Sequence, residues 1–151
     1  GADQSLTGAA LGLRLSTDAA RYFAGLVQGT CYTARQIVNT FGVAGVDTSR
    51  IIACGGIADK SPYVMGQMAD ILELDISVAR SGQTCALGAA MFGAVVGGVY
   101  EKVEQAQEAM GSGFKVTYHP NRQLQGVHKQ RYDMFRQAVH GLEPTLRELR
   151  K

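Results

Sequence analysis

Arg50-Ile51-Ile52-Ala53-Cys54-Gly55-Gly56-Ile57-Ala58-Asp59-Lys60-Ser61-Pro62 is the stretch that decides the fold class. Its first part is short, apolar and β-branched at the centre. It stops abruptly at two glycines, as a strand buried in a parallel sheet does. Its end, Ser61-Pro62, reads as a helix start. Serine accepts a bond from an orphan backbone N–H, and proline at the first helical position loses nothing by lacking one.

Downstream, Val64, Met65, Met68, Ile71 and Leu72 supply the apolar face of that helix. Asp75–Ala79 (DISVA) is the next strand. Thr84 is placed to cap a third helix through Leu87, Ala90, Met91, Ala94 and Val95. The small residues Ala89, Gly93 and Gly97, with Ala90 and Ala94, are expected to pack that helix closely on a sheet. Tyr100–Met110 reads as a polar helix ending near Gly111. A turn is expected at His119-Pro120-Asn121. A last helix runs from about Val127 to Leu149, with Tyr132, Phe135, Val139, Leu142 and Leu146 on one face. Upstream, Ser16 or Thr17 is expected to cap a helix carrying Phe23, Leu26, Val27, Ala34, Ile37, Val38 and Phe41, with Gly42 as its stop. Ala9–Leu15 is either a strand or a loop. The order is α/β patterning with right-handed crossovers. Two strands are few for a parallel sheet, so further strands of this sheet are expected upstream of the chain.

Composition narrows the function. In 151 residues, 46% hydrophobic and 19% charged side chains are ordinary for a globular domain. Fifteen basic and thirteen acidic residues give a net charge of +2 and no basic patch, which argues against nucleic-acid or membrane-surface binding. The run Arg147–Lys151 reads as a solvated helix end. The glycine-broken apolar run Cys85–Tyr100 is too short to span a membrane. The opening GADQSLTG has neither the basic nor the apolar region of an export signal, so a cytoplasmic protein is expected. Cys31, Cys54 and Cys85 show neither metal nor disulfide spacing and are read as reduced, mostly buried packing thiols. His119, His128 and His140 are not spaced as metal ligands.

Cys54-Gly55-Gly56-Ile57-Ala58-Asp59-Lys60-Ser61-Pro62 carries the chemistry. In open α/β sheets ligands bind beyond the carboxyl ends of strands. Two glycines there let a flat ring or a phosphate approach the backbone, and Lys60 can add a charge or stack its stem on a base. The stretch is neither a Walker loop nor a dinucleotide fingerprint.

Three segments in order widen the reading: GLRLST (Gly12–Thr17), ACGGIADKSPYVMGQMADIL (Ala53–Leu72) and CALGAAMFGAVVGGVY (Cys85–Tyr100). Together they resemble the C-terminal domain of the FGGY carbohydrate kinases, and the likeness extends over nearly the whole chain. The GGIA-x-K-x-P detail, the stretch with Val103, Ala106, Gln107 and Met110, and the tail with Pro120 and Tyr132 resemble the branch acting on L-ribulose more than those acting on glycerol or xylulose.

The resemblance implies an actin-like, ribonuclease H-like α/β fold. Residues 1–110 would be the nucleotide-side part of the second kinase domain, truncated at its N-terminal strands, and 111–151 a helical extension packing on it. It implies ATP with Mg²⁺, and transfer of the γ-phosphoryl to L-ribulose in arabinose catabolism. Gly55, Gly56 and Ile57 would then face base and ribose, with Lys60 or Ser61 at the polar place near adenine. The family has a glutamine after the loop's methionine; here Gly66 follows Met65, and Gln67, one place later, would face another side of the helix.

The resemblance also puts the catalytic aspartate and the sugar pocket upstream. No catalytic residue and no metal ligand is therefore assigned here. Asp59 reads as a loop residue, Asp70 as helical and Asp75 as a strand start. The resemblance implies ATP or ADP as the nucleotide partner; the chain alone is expected to be inactive and to self-associate through unpaired strand edges. The alternatives are a non-catalytic actin-like nucleotide-binding or interaction module, a kinase for another ketose or polyol, and an unrelated α/β domain whose glycine pair is only a turn.

Overall fold

The two hydrophobic clusters of the molecule meet on one helix that is apolar on two sides. In the computed structural model, which describes residues 7–149, this helix is α3, spanning Pro62–Leu72; it follows α1 (Ala19–Val43), β1 (Ile51–Ala53) and the five-residue helix α2 (Gly56–Lys60). Then come β2 (Ile76–Ala79), α4 (Thr84–Val96), α5 (Val103–Met110), β3 (Phe114–Tyr118), a 3-10 turn at Arg122–Leu124, and α6 (Gln125–Glu148). Met65 and Ala69 of α3 face the sheet, joining Ala58, Ile76 and Val78. Ile71 and Leu72 face away from it, joining Val27, Cys31, Tyr32 and Tyr132 of α1 and α6. Val64 and Met68 touch both clusters, so the two cores are continuous through α3.

The sheet has the order β1-β2-β3. β1 and β2 are parallel, with Ile51 opposite Ile76 and Ala53 opposite Val78. β3 pairs antiparallel with the other edge of β2, Tyr118 opposite Ile76 and Val116 opposite Val78, and the register slips between Val78 and Ala79. The third strand thus comes from downstream, from a segment in which the sequence showed only a turn. No strand lies in residues 7–18, and Ala9–Leu15 is irregular. One face of the sheet is dressed by α3. The other carries Ile52, Ser77 and Thr117; the two hydroxyls bond at 3.0 Å, while Ile52 keeps 49% of its surface in solvent.

Local signals place most helix ends, and the structure moves several of them. Ser61 caps α3 as expected, its hydroxyl accepting from the Val64 N–H. α1 is capped by Asp18, which accepts from the Arg21 N–H at 2.8 Å, and not by Ser16 or Thr17. The Thr17 hydroxyl is already engaged by the Arg14 N–H in the preceding turn. α1 runs past Gly42 to Val43; the left-handed turn that reverses the chain is at Gly45, φ +79°. Thr84 is the first residue of α4, and its hydroxyl donates to the Ser81 carbonyl.

Three of the seven residues of the α1 stripe join the core: Val27 is buried and Ala34 and Val38 pack beside it, while Phe23, Leu26, Ile37 and Phe41 remain exposed. α4 packs chiefly against α5. Its small residues Ala89, Ala90, Gly93 and Gly97 lie at the surface, so the close helix–sheet contact expected of them is not formed. Cys31 is buried, and burial pushes its thiol up to about 11. Cys54 and Cys85 are exposed instead of packed. No helix of the described residues is long and apolar enough to cross a membrane. Arg147 ends α6 with a bond to Glu143 at 2.7 Å; Arg150 and Lys151 lie outside the described residues.

Arg35 of α1 closes the C-terminal end of α3. Its guanidinium donates to the Ile71 carbonyl at 2.8 Å, pairs with Glu73 at 2.8 Å and lies 5.0 Å over the Tyr132 ring. A cation there satisfies an orphan carbonyl and complements the helix dipole. Glu73 itself is left-handed, φ 59°. His128 of α6 sits at the same junction, 3% exposed, with Nδ1 unpartnered.

Ile71 is fully buried between three helices. Ile71→Ala is expected to lower the unfolding free energy by about 3 kcal/mol in urea titration; a loss under about 1 kcal/mol would show that the core collapses onto the gap. Burial lowers the His128 pKa below its ordinary 6.5, with Asp70 and Glu73 of α3 opposing and Arg131 and Arg35 reinforcing the shift. The folded state therefore favours the neutral ring. Stability is full above the ordinary value and falls as acid protonates the unfolded chain first. Urea midpoints between about pH 7.5 and 5.5 should drop more steeply for wild type than for His128→Gln; parallel slopes would contradict this.

Candidate functional site at the carboxyl edge of the sheet

β1 must leave the sheet at Cys54 because the next residue takes a conformation that only glycine adopts cheaply. Gly55 has φ +92° and ψ 178°. That reversal starts α2 immediately, and Ala58 is driven into the core at 4% exposure. The Asp59 N–H bonds the Gly55 carbonyl at 3.1 Å, and the Ser61 N–H bonds the Ile57 carbonyl at 3.0 Å. The chain then restarts as α3 at Pro62. This places the glycine pair at the carboxyl ends of two parallel strands, where open α/β sheets bind ligands.

The five residues singled out in the sequence come together on this edge. A Cβ on Gly55 or Gly56 would meet no atom within 4 Å, so the backbone faces open space. Ile57 presents an apolar side chain that is 66% exposed. Lys60 is exposed at the end of α2, whereas Ser61 is half-buried and spends its hydroxyl on the cap of α3. Of the two polar positions, Lys60 is the one whose side chain faces solvent. Gln67 is turned away from this edge toward α1: its Oε1 accepts from Gln28 Nε2 at 3.0 Å.

Sequence reasoning missed what β3 brings here. β3 runs antiparallel, so its first residues lie beside the end of β2. Lys115 donates to the carboxylate of Asp59 and, at 3.4 Å, to the Asp59 carbonyl. The cation holds the Asp59 carboxyl below its usual range. Asp59 is thus a paired residue of α2. Arg80, just past β2, bonds the Phe114 carbonyl at 3.3 Å. No short-range signal could have joined Lys115 to a residue so far back in the chain.

Grooves of about 630 Å³, lined by Gln36, Asp133, Arg136 and neighbours between α1 and α6, and about 300 Å³, around Leu13, Asp18 and Tyr22, lie elsewhere. The glycine edge is one open wall and no enclosed cavity. Asp70 lies in α3 and accepts from the Asn121 N–H at 2.7 Å; Asp75 pairs with His119 at 2.9 Å. Among the described residues no group of three His, Cys, Asp or Glu side chains is arranged to hold a metal ion.

Comparison with known proteins follows the same lines. The chain is 43% identical over 142 residues to the ribulokinase of Vibrio parahaemolyticus, an alignment covering 94% of this chain and 25% of that one. It spans about a quarter of the length of the curated relatives it matches. Among solved structures it superposes on gluconate kinase from Lactobacillus acidophilus with a TM-score of 0.84 at 16% identity, covering 97% of this chain and 29% of that one. It superposes on Plasmodium falciparum glycerol kinase with ADP with a TM-score of 0.68 at 17% identity, covering 85% and 25%. The fold is that of the actin-like sugar kinases. The profile of the FGGY family of carbohydrate kinases, C-terminal domain, matches residues 1–96, and the chain belongs to that family as its C-terminal domain.

Proposed function

We propose that this chain is the nucleotide-side domain of an ATP-dependent kinase for L-ribulose, and that Gly55, Gly56, Ile57 and Lys60 form one wall of its adenosine site, with Ser61 fixing the helix behind them. The observation that carries this reading is the glycine edge. β1 is followed within two residues by Gly55 at φ +92°, and a backbone open to solvent comes next, flanked by the exposed Ile57 and Lys60. An aromatic base needs an apolar surface and an unobstructed backbone, and this edge offers both. The choice of sugar rests on the ribulokinase relatives. The choice of nucleotide is supported by the likeness to a glycerol kinase whose structure holds ADP.

ATP supplies the phosphoryl group and the charge of its leaving oxygens when bound. This chain's residues contribute orientation: backbone and Ile57 against the ring, Lys60 as a cation at the rim. Mg²⁺ is usually held by one or two carboxylates together with the nucleotide's phosphates and water, and the described residues bring no group of three ligating side chains together.

Gly56→Leu tests the wall. Gly56 is helical, and a Cβ there meets nothing within 4 Å, so folding is expected to survive. Affinity for ADP by calorimetry should fall about tenfold or more, because the new side chain fills the space assigned to the ring. Unchanged affinity would remove Gly56 from the site. The 151-residue chain by itself is expected to transfer no phosphoryl group to L-ribulose in a coupled ADP-release assay, because phosphoryl transfer is mostly positioning and electrostatics around the γ-phosphate. Turnover that disappears in Gly56→Leu would overturn that expectation.

A further inference from the structure

α2 is an unusual place to find a cation arriving from another element. The helix has five residues and no side-chain cap at its start. It touches α3, which follows it directly, and buries only Ala58. Lys115, from the far strand of the sheet, reaches it with two bonds, to the Asp59 carboxylate and the Asp59 carbonyl.

The sheet register explains how. Val116 pairs with Val78, but Phe114 pairs with Ala79, the next residue of β2. Lys115 is therefore the extra residue of a β-bulge, with no partner of its own across the ladder. Regular alternation would have kept it in step with Thr117, whose hydroxyl meets Ser77 on the uncovered face. A bulge frees one residue from the pleat and re-aims its side chain, and bulges concentrate beside active sites for that reason. Here the freed side chain crosses the end of β2 to the turn that follows Gly55 and Gly56.

We infer that Lys115 is a positioning residue for the glycine edge: the bulge in β3 aims its ammonium at Asp59, and this tie holds α2, and with it the Gly55–Gly56 backbone, in the orientation that receives the nucleotide. The inference rests on the adenosine-site reading above. The pair is partly exposed, so it adds little to global stability. Its effect is local. It fixes the far end of a helix whose near end is the ligand-facing turn.

The test uses the full chain with Lys115→Met, Lys115→Arg, Asp59→Asn and the Lys115→Met/Asp59→Asn double variant. Two quantities are read: amide hydrogen exchange at Asp59 and Ser61, whose N–H groups close α2, and ADP affinity by calorimetry. Lys115→Met and Asp59→Asn are each expected to speed exchange at those amides and to weaken ADP by about three- to fivefold with an unchanged unfolding midpoint. The double variant should be no worse than either single one, and Lys115→Arg should restore both readouts. Unchanged exchange in Lys115→Met overturns the inference whatever ADP does. Faster exchange with unchanged ADP affinity also overturns it, leaving Lys115 a local tether without a role in binding. Wild-type chain that does not bind ADP defeats the adenosine-site reading itself, and the inference with it.

Discussion

Burial of α3 on two sides is the constraint on which the rest of the structure depends. Met65 and Ala69 hold the sheet, while Ile71 and Leu72 hold α1 and α6. A helix buried on both sides is fixed in rotation and tilt, because turning it would expose one cluster to gain nothing at the other. Its N-terminus is then fixed too, and that N-terminus is the anchor of the glycine edge. Arg35 secures the opposite end through Ile71, Glu73 and the Tyr132 ring. The candidate site thus takes its rigidity from packing that lies behind it.

Local chemistry made much of this readable in the sequence. Ile51–Ala53 ends at glycines, Ser61-Pro62 begins a helix, and Ile76–Ala79 is short and β-branched; each signal acts within a few residues. The starts of α1 and α4 were harder. Ser16, Thr17 and Asp18 can all cap, and what decides between them is a turn that has already engaged the Thr17 hydroxyl. β3 was illegible for another reason. Phe114–Tyr118 lies on the sheet edge, is largely exposed and alternates weakly, so its strand character comes from a partner far back in the chain. The small residues of α4 misled because close packing needs a neighbour, and composition does not supply one.

For the site itself, residue types sufficed to find the turn, and geometry was needed to divide its labour. Lys60 and Ser61 are adjacent and both polar, yet one hydroxyl serves a helix cap and the other side chain faces solvent. Asp59 looked like filler until Lys115 was seen to meet it. A one-residue slip in a strand register is invisible to any reading of hydrophobic period, since it arises from how two strands accommodate each other.

The arrangement of β2 and β3 carries one more consequence. The two strands are neighbours in the sheet, yet α4 and α5 are strung between them as an excursion that leaves at Arg80 and returns at Gly113, whose carbonyl accepts from the Arg80 N–H at 2.9 Å. That bond shuts the neck of the excursion. Closing a long loop costs only about 0.6 kcal/mol more for each doubling of its length. The arm beyond the neck can therefore be lengthened, shortened or re-tilted over evolutionary time while the ladder, the bulge and the turn it serves stay as they are.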